Sequence, residues 1–338
     1  MKKQHRKTPE LVCPAGTPSA LRVAVDAGAD VVYCGFRDET NARNFPGLNF
    51  SRKEMSEATE YAHKNKAHVY VTVNTFPQAG KTALWHKAVD DAVACGADAL
   101  IVADMGIASY AAKSHPKTRL HLSVQASASN PDAIRYYCET FNVKRVVLPR
   151  VLSIPEITAL NDDIPCETEV FVFGGLCVMA EGRCLLSSYA TGKSPNMNGV
   201  CSPAGDVRYA QGKDGSMDSK LGDFTINRFA AGEPTGYPTI CKGRFKCAHQ
   251  KENEAGYIFE EPTSLDALAM MPDLLRSGVT AFKIEGRQRG RAYTEAVVKA
   301  FRKALSDYAR GWPLKTDALI ALAEGGQSTE GAYKKTWK

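Results

Sequence analysis

The chain has no run of eighteen apolar residues, the length a helix needs to cross a bilayer. Its first ten residues, MKKQHRKTPE, have no apolar stretch behind their basic side chains to serve as a signal peptide. A cytoplasmic protein with no membrane span is expected. There is no H-E-x-x-H among the seven histidines (His5, His63, His68, His86, His115, His121, His249), and no G-x-S-x-G. The two commonest local signatures of peptidases and hydrolases are therefore missing. No G-x-G-x-x-G opens the first helix, which disfavours a doubly wound dinucleotide fold. No C-x2-C pair is present either, so the usual spacing of a structural zinc site is absent.

What is present is the composition of a folded protein: 338 residues, 44% hydrophobic and 24% charged. The net charge of +6 owes much to Lys2, Lys3, Arg6 and Lys7 in a basic tail over 1–9. A solvated tail explains it, and no nucleic-acid binding is expected from it.

Short apolar runs at 10–15, 30–36, 68–74, 99–104, 120–127, 145–150 and 169–175 have strand length and alternate with helical patterns. The clearest helix is 81–95, where Leu84, Trp85, Ala88, Val89, Ala92 and Val93 share a face. AGAD at 27–30 and CGAD at 95–98 each end a helix on glycine and enter a strand. The pattern stops after 175 and resumes with a helix near 264–276, a strand within 277–286 and a helix over 291–309. In the last helix Tyr293, Ala296, Val297, Ala300, Phe301, Ala304, Leu305 and Tyr308 form the predicted stripe. Seven strands, an interruption and an eighth strand-helix pair predict an α/β protein, a TIM-like (β/α)8 barrel with a cysteine-rich insertion after strand seven. The barrel takes 10–175 and 262–310, the insertion 176–261, and an extension 311–338.

Five of the ten cysteines, Cys177, Cys184, Cys201, Cys241 and Cys247, fall in that insertion. A continuous helix over 177–184 would set the first two about 10 Å apart, beyond the reach of a disulfide. Gaps of six, sixteen and thirty-nine residues between Cys177, Cys184, Cys201 and Cys241 favour an iron-sulfur cluster over zinc or unliganded thiols, without excluding either. Cys13, Cys34, Cys95, Cys138 and Cys166 read as small hydrophobes.

Several stretches are recognisable: LVCPAG at 11–16, DETNARNFPGLNFS at 38–51, SVQASASN at 123–130, LCVMAEGRCLLSSYATGKSPN at 176–196, GYPTICKGR at 236–244, KIEGRQR at 283–289 and GAYKKTW at 331–337. From about residue 10 to the end the chain resembles the peptidase U32 family, most closely its UbiU branch of oxygen-independent ubiquinone biosynthesis. The resemblance implies a [4Fe-4S] cluster on Cys177, Cys184, Cys201 and Cys241. It also implies a heterodimer with a UbiV-like paralogue and, as further partners, other ubiquinone-biosynthesis proteins. The implied reaction is hydroxylation of the ubiquinone precursor ring, with prephenate as oxygen donor. Other members of the family hydroxylate RNA bases, which leaves an RNA-base hydroxylase or a non-catalytic cluster-bearing scaffold as alternatives. Cys247, in FKCAHQ, stands outside the matching motifs.

Barrel chemistry gathers where strands end, so Asn74, Asp104, Gln125, Arg150, Lys283, Glu285 and Arg287 are the polar candidates. Arg150, Arg183, Lys242, Arg244 and Arg287 are the cations available to grip a carboxylate. The substrate-binding set expected is Asn74, Gln125, Arg150, Arg183, Lys283 and Arg287.

Overall fold

A computed structural model describes residues 8–246, 255–315 and 319–334. Strands β1 (Glu10–Pro14), β2 (Val31–Gly35), β3 (His68–Val73), β4 (Ala99–Val102), β5 (Arg119–Leu122), β6 (Val143–Val147) and β7 (Glu167–Gly175) each pair in parallel with the next. The eighth barrel strand, Ala281–Ile284, pairs in parallel with both β7 and β1, so the sheet closes on itself. This is the expected (β/α)8 barrel.

Helices α1 (Pro18–Asp26), α2 (Arg52–Lys64), α3 (Thr82–Ala94), α4 (Met105–Ser114), α5 (Pro131–Phe141) and α6 (Ile154–Asp163) follow the first six strands. Their starts are chemically marked. Thr17 accepts from the Ala20 amide ahead of Pro18, Ser51 and Glu54 form a capping box, and Asn130 accepts from Ala133 ahead of Pro131. In α3 the predicted stripe is buried at Trp85, Ala88, Val89 and Ala92, while Val93 is half-buried and Leu84 is exposed. The main apolar core lies between such helix faces and the outer side of the barrel.

Two segments depart from the expected pattern. Residues 264–276 are not one helix: Ser264–Asp266 is a strand antiparallel to the end of β7, and the helix spans only Met271–Arg276. Pro272 sits in its first turn, where a missing amide costs nothing. The helix Arg291–Ala309 forms as predicted, but its buried face turns toward Thr294 and Val298 and leaves Ala296 and Tyr308 exposed.

The insertion contains helical turns Leu186–Thr191 and Pro195–Asn198, then an antiparallel sheet of Val207–Gln211, Met217–Leu221 and Phe224–Phe229. Beyond it the C-terminal extension returns to the barrel. Ser328–Thr329 pairs in parallel with Ser264–Leu265, and the buried Tyr333 hydroxyl donates to the Phe171 carbonyl in β7.

Inside the barrel the apolar group is small: Val12, Val31, Tyr33, Tyr70, Ala99, Ile101 and Ala281. The layers of branched aliphatics common in such barrels are replaced by ions. Arg145, 2% exposed, reaches Glu10 at 2.8 Å, Glu167 at 2.6 Å and Glu169 at 3.3 Å. Glu169 in turn accepts from Lys283 Nζ at 2.6 Å. Buried charges persist only when paired, and here each is. The column runs from the N-terminal ends of the strands to the floor of a cavity at their C-terminal ends.

Candidate functional site

Two cavities meet at that C-terminal mouth. The inner one opens over the barrel and is lined from above by the insertion. Asn74 beyond β3 donates to Ser123 Oγ at 3.0 Å and accepts from the Ala42 amide at 2.9 Å. Gln125 lies in a single turn after β5, and Arg150 in the loop after β6. Lys283, Glu285 and Arg287 come from the eighth strand and its exit. All six line the inner cavity.

Their charges are arranged in pairs with one exception. Arg150 Nε donates to Glu181 at 2.6 Å, both side chains being 4% exposed, and its guanidinium lies 4.2 Å from the Phe171 ring. Glu285 accepts from Arg43 at 3.3 Å and from the Gly175 amide at 3.2 Å. Burial pushes the Glu285 carboxyl up, but Arg43, Arg150 and the Gly175 amide outweigh it and hold its pKa below the ordinary range. Arg287 has no carboxylate partner among the described residues. It donates to Asn41 at 2.9 Å, to Thr72 at 3.1 Å and to the Ala42 carbonyl. Burial, followed by repulsion from Arg43, lowers its pKa to about 10.

Cys177, Cys184, Cys201 and Cys241 also line the inner cavity, and all four are free thiols. They arrive from three parts of the chain: the exit of β7, the loop after Pro195–Asn198, and the turn Ile240–Lys242. Burial pushes the Cys177 and Cys201 thiols up and that of Cys241 to about 12. Arg150 opposes the shift at Cys177, and Arg43 does so at Cys201.

Among the described residues, no three His, Cys, Asp or Glu side chains converge closely enough for a single metal ion. Tetrahedral zinc at bonds of about 2.3 Å would need its sulfurs roughly 4 Å apart. Four free thiols lining one cavity are also the donor set of a multinuclear cluster, since a cubane spreads its ligands over its corners. The donor chemistry of Cys177, Cys184, Cys201 and Cys241 therefore fits such a group.

The outer cavity lies on the other side of the same wall. Cys177, Cys201, Cys241, Arg43, Arg150 and Glu285 line both spaces, whereas Cys184 faces only the inner one. Apolar residues Phe45, Leu48, Leu176 and Tyr237 complete the outer side.

Arg183 is the expected substrate residue that the structure does not bring in: it is exposed and lines neither cavity. Gly182, at φ +82°, lies so close to the Gln125 carbonyl that a Cβ there would stand 1.8 Å from the oxygen. This turn presses the loop onto the barrel and leaves the next side chain facing out. Lys242 is buried, donating to Glu324 at 2.7 Å and to the Thr263 carbonyl at 2.9 Å. Arg244 binds Glu233 and Tyr257 away from the inner cavity, and Asp104 caps α4. Cys247 lies outside the described residues. Arg43, Tyr33 and Ser123 line the site without having been singled out; Arg43 has positive φ, which no local sequence signal announced.

His63 and His68 pair with Asp98, His86 stacks on Tyr110, His115 pairs with Asp90, and His121 lies inside the barrel. None of these lines either cavity, so among the described residues no histidine stands beside a nucleophile at the site.

Comparison with known proteins adds the lineage. The model of peptidase family U32 matches residues 16–329. The chain belongs to this family. Relatives of this U32 chain with names from RNA modification include the following three. tRNA hydroxylation protein P of Escherichia coli is 33% identical over 97% of the chain and 75% of its own length. tRNA hydroxylation protein P1 of Bacillus subtilis is 31% identical over 89% of the chain and 64% of its own length. The 23S rRNA 5-hydroxycytidine C2501 synthase of E. coli is 28% identical over 88% of the chain and 39% of its own length. These names support an enzymatic role. No helix among the described residues is long and apolar enough to cross a membrane.

Proposed function

We propose that this U32 chain is the cluster-bearing part of an oxygen-independent hydroxylase of a planar aromatic ring, with a [4Fe-4S] cluster on Cys177, Cys184, Cys201 and Cys241. The observation that carries the reading is the gathering of four free thiols on a cavity at a barrel mouth, in a chain several of whose relatives are named for hydroxylation. The cluster, when bound, supplies one-electron chemistry. Arg43 and Arg150 stand beside the thiols and offset their negative charge on ligation.

An RNA base is the ring that the relatives' names support. The second reading is the ubiquinone precursor ring. It is favoured by the UbiU-like motifs and by the apolar floor of Tyr33, Ile101, Val147 and Phe171, which suits a prenylated ring. In that reading the chain works in the cytoplasm as a heterodimer with a UbiV-like paralogue. Prephenate is the oxygen donor, and its carboxylates meet the arginines of the mouth.

A deletion strain grown without oxygen separates the two. Loss of hydroxylated nucleosides with normal quinone supports the RNA base, and the reverse supports the quinone ring. Loss of neither refutes the hydroxylase. Protein purified anaerobically should carry about four irons per chain, together with sulfide and any bound paralogue. Cys184→Ala should lose that iron; full iron content in the variant would refute the ligand set.

A further inference from the structure

The floor of the inner cavity is mainly apolar, and the polar strand residues on it are Thr72, which donates to the Cys34 carbonyl and accepts from Arg287, and Lys283. Among Tyr33, Ile101, Val147 and Phe171 stands the ammonium of Lys283, a residue 4% exposed. Its Nζ donates to Glu169 Oε1 at 2.6 Å and lies 3.7 Å from the centre of the Tyr33 ring. An ammonium has three donors. Glu169 takes one, the face of Tyr33 attracts another electrostatically, and no further acceptor is found for the third among the described residues. Glu169 is fully buried and shared with Arg145, so its position is fixed from below.

The other polar groups of the cavity are differently committed. Asn74 is held by Ser123 and Ala42, Arg150 by Glu181, and Arg287 by Asn41, Thr72 and Ala42. Lys283 is thus the cation that a barrel strand places on the floor, with one donor unmatched among the described residues. A flat ring entering between Tyr33, Ile101, Val147 and Phe171 would bring an oxygen substituent at its leading edge to Nζ.

We propose that Lys283 is the ring-oxygen contact of this site and binds a phenol as its phenolate. The inference rests on the second reading above, the quinone-precursor ring, and names the ionised form in which that ring is held. On binding, the phenol gives its proton to solvent and no covalent bond to the protein forms. The anion is held by the ammonium in a medium where Coulomb attraction is stronger than in water. A phenolate is also more electron-rich at its ortho and para carbons, so the same contact that anchors the ring prepares it for oxygenation.

The test uses 4-nitrophenol, whose anion absorbs in the visible, titrated against pH with the anaerobically purified full chain and read as a difference from dye-free protein. The bound dye should ionise at least tenfold more readily than free dye, equivalent to about one pKa unit. The double variant Lys283→Met, Glu169→Gln, which leaves neither partner of the pair buried alone, should bring ionisation back to within about threefold of free dye. Lys283→Arg should retain part of the shift. Near-ultraviolet circular dichroism checks that each variant is folded. A wild-type protein that binds the dye only as neutral phenol, or a double variant with the full shift, would overturn the proposal. Hydroxylation is judged separately from product analysis, so failure of that reading leaves this titration readable.

Discussion

Replacing Arg150 by Met should destabilise the protein by about 4 kcal/mol, because it leaves the Glu181 carboxylate buried without its cation. The pair lies at 2.6 Å with both side chains 4% exposed, so no discount for solvent screening applies. Methionine retains most of the packing on Phe171 but also deprives the Gly175 carbonyl of a donor. Glu181→Gln keeps an acceptor and removes the charge, at a cost of about 2 kcal/mol. If the pair acts as a unit, the double variant should cost about 3 kcal/mol, roughly 3 less than the sum of the single changes. Urea unfolding of the four proteins measures this. With a slope of about 3 kcal/mol/M, the Arg150→Met midpoint should fall by more than 1 M. A coupling energy within about 0.5 kcal/mol of zero would show that the two charges do not depend on each other, and the argument for a loop clamped to the barrel would fall.

Gly182→Ala should cost distinctly more than Gly192→Ala. Both positions have positive φ, a penalty of about 1–2 kcal/mol for alanine, but only at Gly182 would the Cβ meet a backbone oxygen, at 1.8 Å. Equal losses in thermal unfolding would refute the close approach. The pH profile should carry the signature of His121, whose pKa is held well below 6.5 by burial and then by Arg145, Arg119 and Lys283. A depressed folded pKa means stability that is complete above the unfolded value near 6.5 and declines as pH falls below it. His121→Gln should flatten that decline between pH 7 and 5 in denaturant titrations; an unchanged slope would remove His121 as its source.

The barrel was legible because parallel strands buried on both sides read as continuous apolar runs, and seven such runs met their strands. The fifth was overextended. LHLSVQAS ends as a strand at Leu122, because Ser123 caps a single turn and Ser127 adopts positive φ, a conformation decided by packing rather than propensity. Ser264–Asp266 was misread for a similar reason, since its partner is the end of β7, some ninety residues earlier. The placing of the cysteine motifs beyond strand seven was visible, as was the position of Lys283, Glu285 and Arg287 where the last strand ends. The partners were not. Arg145 joins Glu10, Glu167 and Glu169 across the barrel, and no local pattern relates those positions. Arg183 looked as promising as Arg150 on composition, and only the turn at Gly182 separates them.

The wall shared by the two cavities has a consequence for mutational experiments. A change at Arg43, Arg150, Glu285, Cys177, Cys201 or Cys241 alters both compartments, so a lost activity cannot be allotted to either side. Positions that face one compartment supply the missing bookkeeping: Asn74 and Gln125 for the inner space, Phe45 and Gln288 for the outer. Pairing one change from each set turns the partition itself into an experimental coordinate, along which two ligands can be told apart from one.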